Sequence, residues 1–230
     1  MPMLAADTAL GACSVAVLDG HRVLAHRFET MERGHAEILA PMVEAAMKDA
    51  GIGFDRLDQL AVTTGPGTFT GQRVGLALMR ALRLALRIPL VGVTTLEAMA
   101  EAAMAATGSA KAAAIHDARR REAYLLLRDG AANRLEPVVM GFAEAVDSIR
   151  AFGTCALAGT GAEAAASVLG GDFPLSTIRQ PDALWVARLG VARLAGGCSP
   201  QPEEVPGPLY LRAPDVKLPG ASRPSNSRSA

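Results

Sequence analysis

Twice along this chain an aspartate closes a short apolar run and an Asp-Gly pair follows twelve residues later: Asp7 then Asp19-Gly20, and Asp117 then Asp129-Gly130. Self-similarity on this scale constrains a fold strongly, because each copy must be a supersecondary unit that packs against the other. The flanking patterns agree. Residues 3–8, 14–18 and 22–28 read as strands, the last two joined by Asp19-Gly20, a tight-hairpin signal. A helix over 34–50, a strand over 60–64, a helix over 70–87, a strand over 90–93 and a helix over 95–106 complete the first half. Pro41 falls inside the first of these helices, where it should kink it or mark its true first turn, and Gly51 ends it. After Thr107-Gly108-Ser109 the pattern restarts: strands over 112–116 and 123–127, a third after Asp129-Gly130, a helix over 141–152, a strand over 155–158 and a helix over 161–169. A last helix over 183–195 is capped by Asp182 and ended by Gly196-Gly197. The reading is an α/β chain of two βββαβα halves, 1–107 and 108–213. The run 214–230, rich in Pro, Ser, Gly and Arg, is expected to be disordered.

The stretch 59–87 is the most unusual. Gly65, Gly67 and Gly71 with Pro66 make a tight strand-to-helix turn, and Thr68 or Thr70 is placed to cap the helix. In that helix Arg73, Arg80, Arg83 and Arg87 form one stripe and nearly everything else is apolar, too much for a helix with a single buried face. The glycine spacing, with Gln72 after Gly71, fits neither a phosphate-binding P-loop nor a dinucleotide fingerprint.

Composition narrows the function. With 23 basic and 23 acidic residues in 230, bulk charge gives no grip on nucleic acid. Cys13, Cys155 and Cys198 show neither a disulfide framework nor zinc spacing. No apolar run reaches the ~18 residues of a membrane span, and MPMLAADT has no signal-peptide pattern, so a cytoplasmic protein is expected.

Two such halves facing each other resemble the RNase-H-like lobes of the actin, hexokinase and Hsp70 (ASKHA) fold, in which the first hairpin of each half meets a nucleotide. The candidate nucleotide-binding residues are then Asp7, Thr8 and Gly11 in the first loop, Asp117 in the second, and Gly159 and Gly161 after the 155–158 strand. The plainer reading is of hairpin-flanking aspartates and an ordinary turn; the first loop holds no lysine or arginine for a phosphate. Six blocks together, DTALGACSVAVLDG, HAEILAPMV, TTGPGTFTGQRVGLALMRAL, VGVTTLEAMA, DARRREAYLLL and PLYLR, resemble the bacterial TsaB (YeaZ) family in order. The resemblance implies a non-catalytic partner of TsaD in threonylcarbamoyl transfer to the adenosine beside the tRNA anticodon, with the ATPase TsaE as third member. It also implies a homodimer when the chain is alone, contact with tRNA only through the complex, and no required cofactor beyond weak nucleotide binding. The catalytic relative carries a metal-binding His-x-x-x-His after the strand matching 90–93; this chain has Thr94-Thr95-Leu96-Glu97-Ala98-Met99 there. Its histidines, His21, His26, His35 and His116, form no such pair, and His35 reads as a packing or capping residue.

The resemblance further implies that the first two helices pair with those of TsaD or of a second copy. The expected partner face is Leu39, Met42, Val43, Met47, Val74, Leu78, Ala81 and Leu82. Arg119-Arg120-Arg121 reads as solvated charge or as a phosphate contact. Three alternatives stay open: a stand-alone phosphotransferase of the same fold, a metallopeptidase, which the missing histidine pair disfavours, and a homodimeric interaction module.

Overall fold

The structure, a computed structural model, describes residues 1–196 and 205–212. The tail expected over 214–230, and Cys198, lie outside the described residues. The first half runs β1 (Pro2–Asp7), β2 (Ala12–Asp19), β3 (Arg22–Thr30), α1 (His35–Ala50), β4 (Gln59–Gly65), α2 (Phe69–Leu86), β5 (Leu90–Thr94) and α3 (Thr95–Thr107). The second runs β6 (Lys111–Asp117), β7 (Glu122–Asp129), β8 (Ala132–Gly141), α4 (Phe142–Phe152), β9 (Ala156–Ala158), α5 (Ala162–Leu169) and α6 (Ala183–Ala195). Every helix and strand read from the sequence is present.

The repeat is also topological. The first sheet has the order β3-β2-β1-β4-β5 and the second β8-β7-β6-β9, each with an antiparallel meander and parallel inner pairs. The place of β5 in the second sheet is reduced to one parallel bridge, Leu157 to Leu175. Both Asp-Gly pairs turn as expected, with Gly20 and Gly130 at φ 58° and 53°, a region where only glycine is unstrained.

Packing departs from chain order at two helices. In the first half α1 and α2 cover one face of the sheet, with Leu39, Val43, Leu76 and Met79 against Leu4, Val17, Leu60 and Val62. The other face is covered by α6, through Ala183, Val186, Ala187 and Leu189. Reciprocally, α3 lays Leu96, Met99, Ala100 and Ala103 on Ala112, Ala114, Leu126 and Ala156 of the second sheet, whose far face α4 and α5 close. The result is a layered α/β/α/β/α molecule with α3 and α6 at its centre, each serving the other half's sheet. Small side chains make that centre thin enough for both sheets to bury their inner faces.

Pro41 does not end α1, which runs unbroken through it to Gly51, its left-handed cap. Proline supplies no N–H to the Glu37 carbonyl, and both residues lie on the exposed side, where water meets that carbonyl.

Candidate functional site

The strand ends of the first half meet under the glycine-rich loop. Thr68 caps α2, its Oγ1 accepting from the Gly71 amide at 3.0 Å. The hydroxyl of Thr8 donates to the Gly71 carbonyl at 2.7 Å and accepts from the Gly75 amide at 2.9 Å. This contact requires Gly67, Gly71 and Gly75: a Cβ would lie 2.3 Å from the Ala9 carbonyl oxygen, 2.3 Å from the Thr8 carbonyl oxygen and 2.7 Å from Thr8 Oγ1 respectively. The loop 7–10 is thereby sealed by the start of α2. Asp7 is fully buried, its Oδ1 accepting from the Thr63 hydroxyl at 2.6 Å and the Ala9 amide at 3.2 Å, while Oδ2 has no partner. Burial pushes its carboxyl up to about 7, against the pull of those hydrogen bonds.

The six nucleotide candidates do not converge. Thr8 is committed to α2, and the Gly11 amide donates to Gln180 Oε1 at 2.9 Å. In the second half the Gly159 and Gly161 amides donate to the carbonyls of Ile178 and Ile115. Asp117 is exposed and accepts from the Arg119 amide at 2.7 Å, while its own amide donates to Thr160 Oγ1. Asp117 thus sits beside the 159–161 turn, and Asp7 lies under α2. Neither of the two cavities described here is lined by any of the six.

One cavity, of about 280 Å³, opens between the glycine loop and the second half, lined by Gly67, Phe69, Gln72, Tyr124, Tyr210 and Arg212 among others. Residues 205–212 form its outer wall. The Leu209 amide donates to the Thr64 carbonyl at 2.7 Å, Arg80 Nε to the Pro206 carbonyl at 2.9 Å, and Arg73 Nε to the Tyr210 hydroxyl at 3.0 Å. Arg73 also covers the Phe69 ring at 3.5 Å. Two arginines of the α2 stripe are therefore occupied by this segment. Arg212 reaches across to Glu122 and the Ala118 carbonyl, at the foot of the Arg119–Arg121 turn, whose three residues all have positive φ and lie exposed. The second cavity, of about 500 Å³, lies by His26, Phe28, Gln180, Asp182 and Trp185. There His26 pairs with Asp182 at 2.8 Å, and that hydrogen bond raises its imidazole above the usual range despite burial.

A polar network ties the halves together. Thr94 and Glu97 form a capping box at the start of α3. Glu97 also pairs with Arg193 of α6 at 2.6 Å and accepts from Asn133 of β8 at 3.1 Å. Burial alone would raise this carboxyl; the Arg193 charge and the Thr94 and Asn133 hydrogen bonds outweigh it and hold it below its usual range. Arg128 joins through Glu101 and Asn133. His35 packs, with Nε2 donating to the Leu10 carbonyl at 3.0 Å.

The expected partner face divides. Leu39, Met42, Val43 and Met47 belong to the chain's own core and point at the sheet, so they offer nothing to a partner in this conformation. The sequence pattern located α1's apolar face correctly but could not say what covers it. Val74, Leu78 and Leu82 are half-buried and Ala81 is exposed. The outward side of α2 carries Ala77, Ala81, Leu84 and Ala85, with Leu84 76% exposed.

A model of the TsaD family, described as tRNA N6-adenosine threonylcarbamoyltransferase, matches residues 22–178. The tRNA threonylcarbamoyladenosine biosynthesis protein TsaB of Escherichia coli is 40% identical over 124 residues, which is 54% of this chain and 53% of that protein. A solved Pseudomonas aeruginosa structure, titled as an uncharacterized protein with similarity to peptidase YEAZ, superposes with a TM-score of 0.80 at 31% identity, covering 92% of this chain and 99% of that one. The chain belongs to the TsaB/YeaZ family. It lies within the wider group that the TsaD model describes, and its matches to the TsaB proteins of Escherichia coli and Haemophilus influenzae span about half the length of each. An activator of 2-hydroxyisocaproyl-CoA dehydratase from Clostridium difficile shares the ASKHA fold at a TM-score of 0.52 and 11% identity.

In this TsaB/YeaZ chain the segment after β5, where the sequence lacks a histidine pair, is built as the capping box of Thr94 and Glu97. Sequence reasoning missed that role although Thr-x-x-Glu before an apolar run is its signature. It also missed Gly75, which continues the Gly67 and Gly71 spacing of four. No helix among the described residues is long and apolar enough to cross a membrane.

Proposed function

We propose that this chain is the non-catalytic scaffold subunit of the machinery that places threonylcarbamoyl on N6 of the adenosine beside the tRNA anticodon. It pairs with TsaD, works with TsaE, and meets tRNA within that assembly. The observation that carries the reading is the outward side of α2. Ala77, Ala81, Leu84 and Ala85 leave an apolar strip on a helix whose opposite side is already in the core. Such a strip is shaped for a second helix, since alanines spaced by four let backbones approach closely. In the absence of TsaD the same strip pairs with a second copy.

The closed first loop argues for a scaffold over a stand-alone phosphotransferase. The Thr8 hydroxyl and the Gly11 amide, groups that would face a phosphate, are already paired within the chain. Membership of the TsaB/YeaZ family supports the assignment of process, since the E. coli relative is named for it. The test is reconstituted modification of tRNA with TsaD and TsaE from the same organism. Omitting this chain, or supplying Ala81→Asp, abolishes product; full product with Ala81→Asp would overturn the reading.

A further inference from the structure

Residues 205–212 reach from one half to the other, and the first sheet has a notch for them. Gly92 stands in the middle of β5, where glycine weakens a strand and marks a close approach by other backbone. A Cβ there would lie 3.0 Å from Pro206 Cβ and 2.8 Å from Thr64 Cγ2. A larger residue at position 92 would push the segment off the sheet.

The first half grips the segment at three points. The Leu209 amide donates to the Thr64 carbonyl of β4 at 2.7 Å. The Arg80 guanidinium donates to the Pro206 carbonyl through both Nε, at 2.9 Å, and Nη2. Arg73 donates to the Tyr210 hydroxyl, and the Tyr210 and Phe69 rings stack with 6.0 Å between centroids. Paired N–H donors and a main-chain bond fix direction as well as distance, so the segment follows one path along α2.

On the second half the anchor is Arg212. It pairs with Glu122 at the start of β7 and donates to the Ala118 carbonyl at 3.2 Å. Both side chains of that pair are partly exposed, at 28% and 40%, so in isolation it would contribute little. The tether changes this. With Pro206, Leu209 and Tyr210 already held on the first half, Arg212 stays within reach of Glu122 at a high effective concentration.

The halves also meet through α3 and α6, whose contact surface is rich in alanine, with the Glu97–Arg193 pair beside it. Packed helices of this kind permit small sliding movements of one body over the other. A segment fixed at Thr64 on one half and at Ala118 and Glu122 on the other opposes such sliding.

We infer that residues 205–212 are a clasp that holds the two halves in one relative orientation. It opens at Arg212 on the second half, or at Leu209 and Arg80 on the first. The inference goes beyond the docking role of α2 and does not rest on it, because it concerns the chain alone.

The test is single-molecule fluorescence energy transfer on the full chain, without TsaD, at picomolar concentration, where copies stay apart. One dye sits at Ala40→Cys on α1 and the other at Ala143→Cys on α4; a second pair combines Ala40→Cys with Ala164→Cys on α5, all exposed positions. Cys198 is replaced by serine. Cys13 and Cys155 stay unlabelled, being wholly buried with thiols pushed up to about 12 by that burial. The parent chain should give one narrow transfer efficiency for each pair. Arg212→Ala, and Leu209→Pro, which lacks the amide that meets Thr64, should each add a second population in at least one pair. Arg134→Ala breaks a comparable exposed ion pair inside the second half and should keep the parent's distributions. Should Leu209→Pro lose its fold by circular dichroism, Arg212→Ala, at a partly exposed position, decides. The parent's distributions for both dye pairs in Arg212→Ala, or the same second population in Arg134→Ala, overturn the proposal.

Discussion

The Gly75 amide donates to the Thr8 hydroxyl at 2.9 Å, and the same hydroxyl donates to the Gly71 carbonyl at 2.7 Å, so one buried side chain holds the first turns of α2 onto the end of β1. Thr8→Val keeps the shape and removes both bonds, leaving the Gly75 amide and the Gly71 carbonyl only the i→i−4 bond that α2 can form between them. The expected loss is about 2 kcal/mol in urea unfolding. Thr8→Ser should recover most of it. A valine variant as stable as the parent would show that water replaces the hydroxyl.

Gly75→Ala tests the close approach itself. Its Cβ would sit 2.7 Å from Thr8 Oγ1, so the helix or the loop must move, at a cost of about 1–3 kcal/mol. Gly141→Ala is the control, because a Cβ there meets nothing within 4 Å and its φ of −58° suits any residue. Equal midpoints for the two variants would contradict the packing described.

Three buried or half-buried groups give stability a specific pH profile. Asp7 is raised by burial from 3.8 to about 7, so its contribution is complete below pH 3.8 and lost as pH rises through 7. His116 is lowered by burial from 6.5 to about 4, so its contribution is complete above pH 6.5 and lost as pH falls towards 4. His26 is raised by its hydrogen bond to Asp182, so its contribution fades as pH rises past 6.5. Between pH 5 and 6.5 Asp7 and His116 oppose each other and the profile is nearly flat. Above pH 6.5 only Asp7 and His26 act and stability falls. Asp7→Asn should unmask His116, giving stability that rises from pH 5 to 6.5 at up to about 1.4 kcal/mol per unit. Urea melts across that range check it; an Asp7→Asn profile parallel to the parent's would refute the assignment.

The two halves are coupled at Glu97 and Arg193. Arg193→Met keeps much of the side-chain volume but leaves a carboxylate that is only 4% exposed without its counter-charge. The expected cost is about 2 kcal/mol, below the range for fully buried pairs because Arg193 is itself a third exposed. Glu97→Gln with Arg193→Met should recover part of it. A double variant no better than the single one would mean that the pair does not act together.

The fold was legible because its signals are local. The paired Asp-Gly turns, the two periods of apolar residues and the glycine after β4 each act within a few residues, and all of them recur in the structure. What covers each face was not legible. Leu39 and Met47 look as free to meet a partner as Leu84 does in the sequence, and only the sheet beneath α1 decides between them. The exchange of α3 and α6 between the halves was hidden for the same reason, since an alanine-rich helix fits either sheet. The arginine stripe of α2 was visible, but its use by Pro206 and Tyr210 depends on a segment more than a hundred residues away. Asp7 was chosen as an acidic residue at a strand end; its burial beside the Thr63 hydroxyl follows from a contact no spacing rule contains.

The central claim, that the outward face of α2 is where TsaD docks, is tested most directly by sedimentation velocity of the purified chain with TsaD from the same organism. The parent chain should form a one-to-one complex, and Ala81→Asp, with an unchanged circular dichroism spectrum, should sediment apart from TsaD. No association of the parent chain, or an Ala81→Asp complex as tight as the parent's, would contradict it.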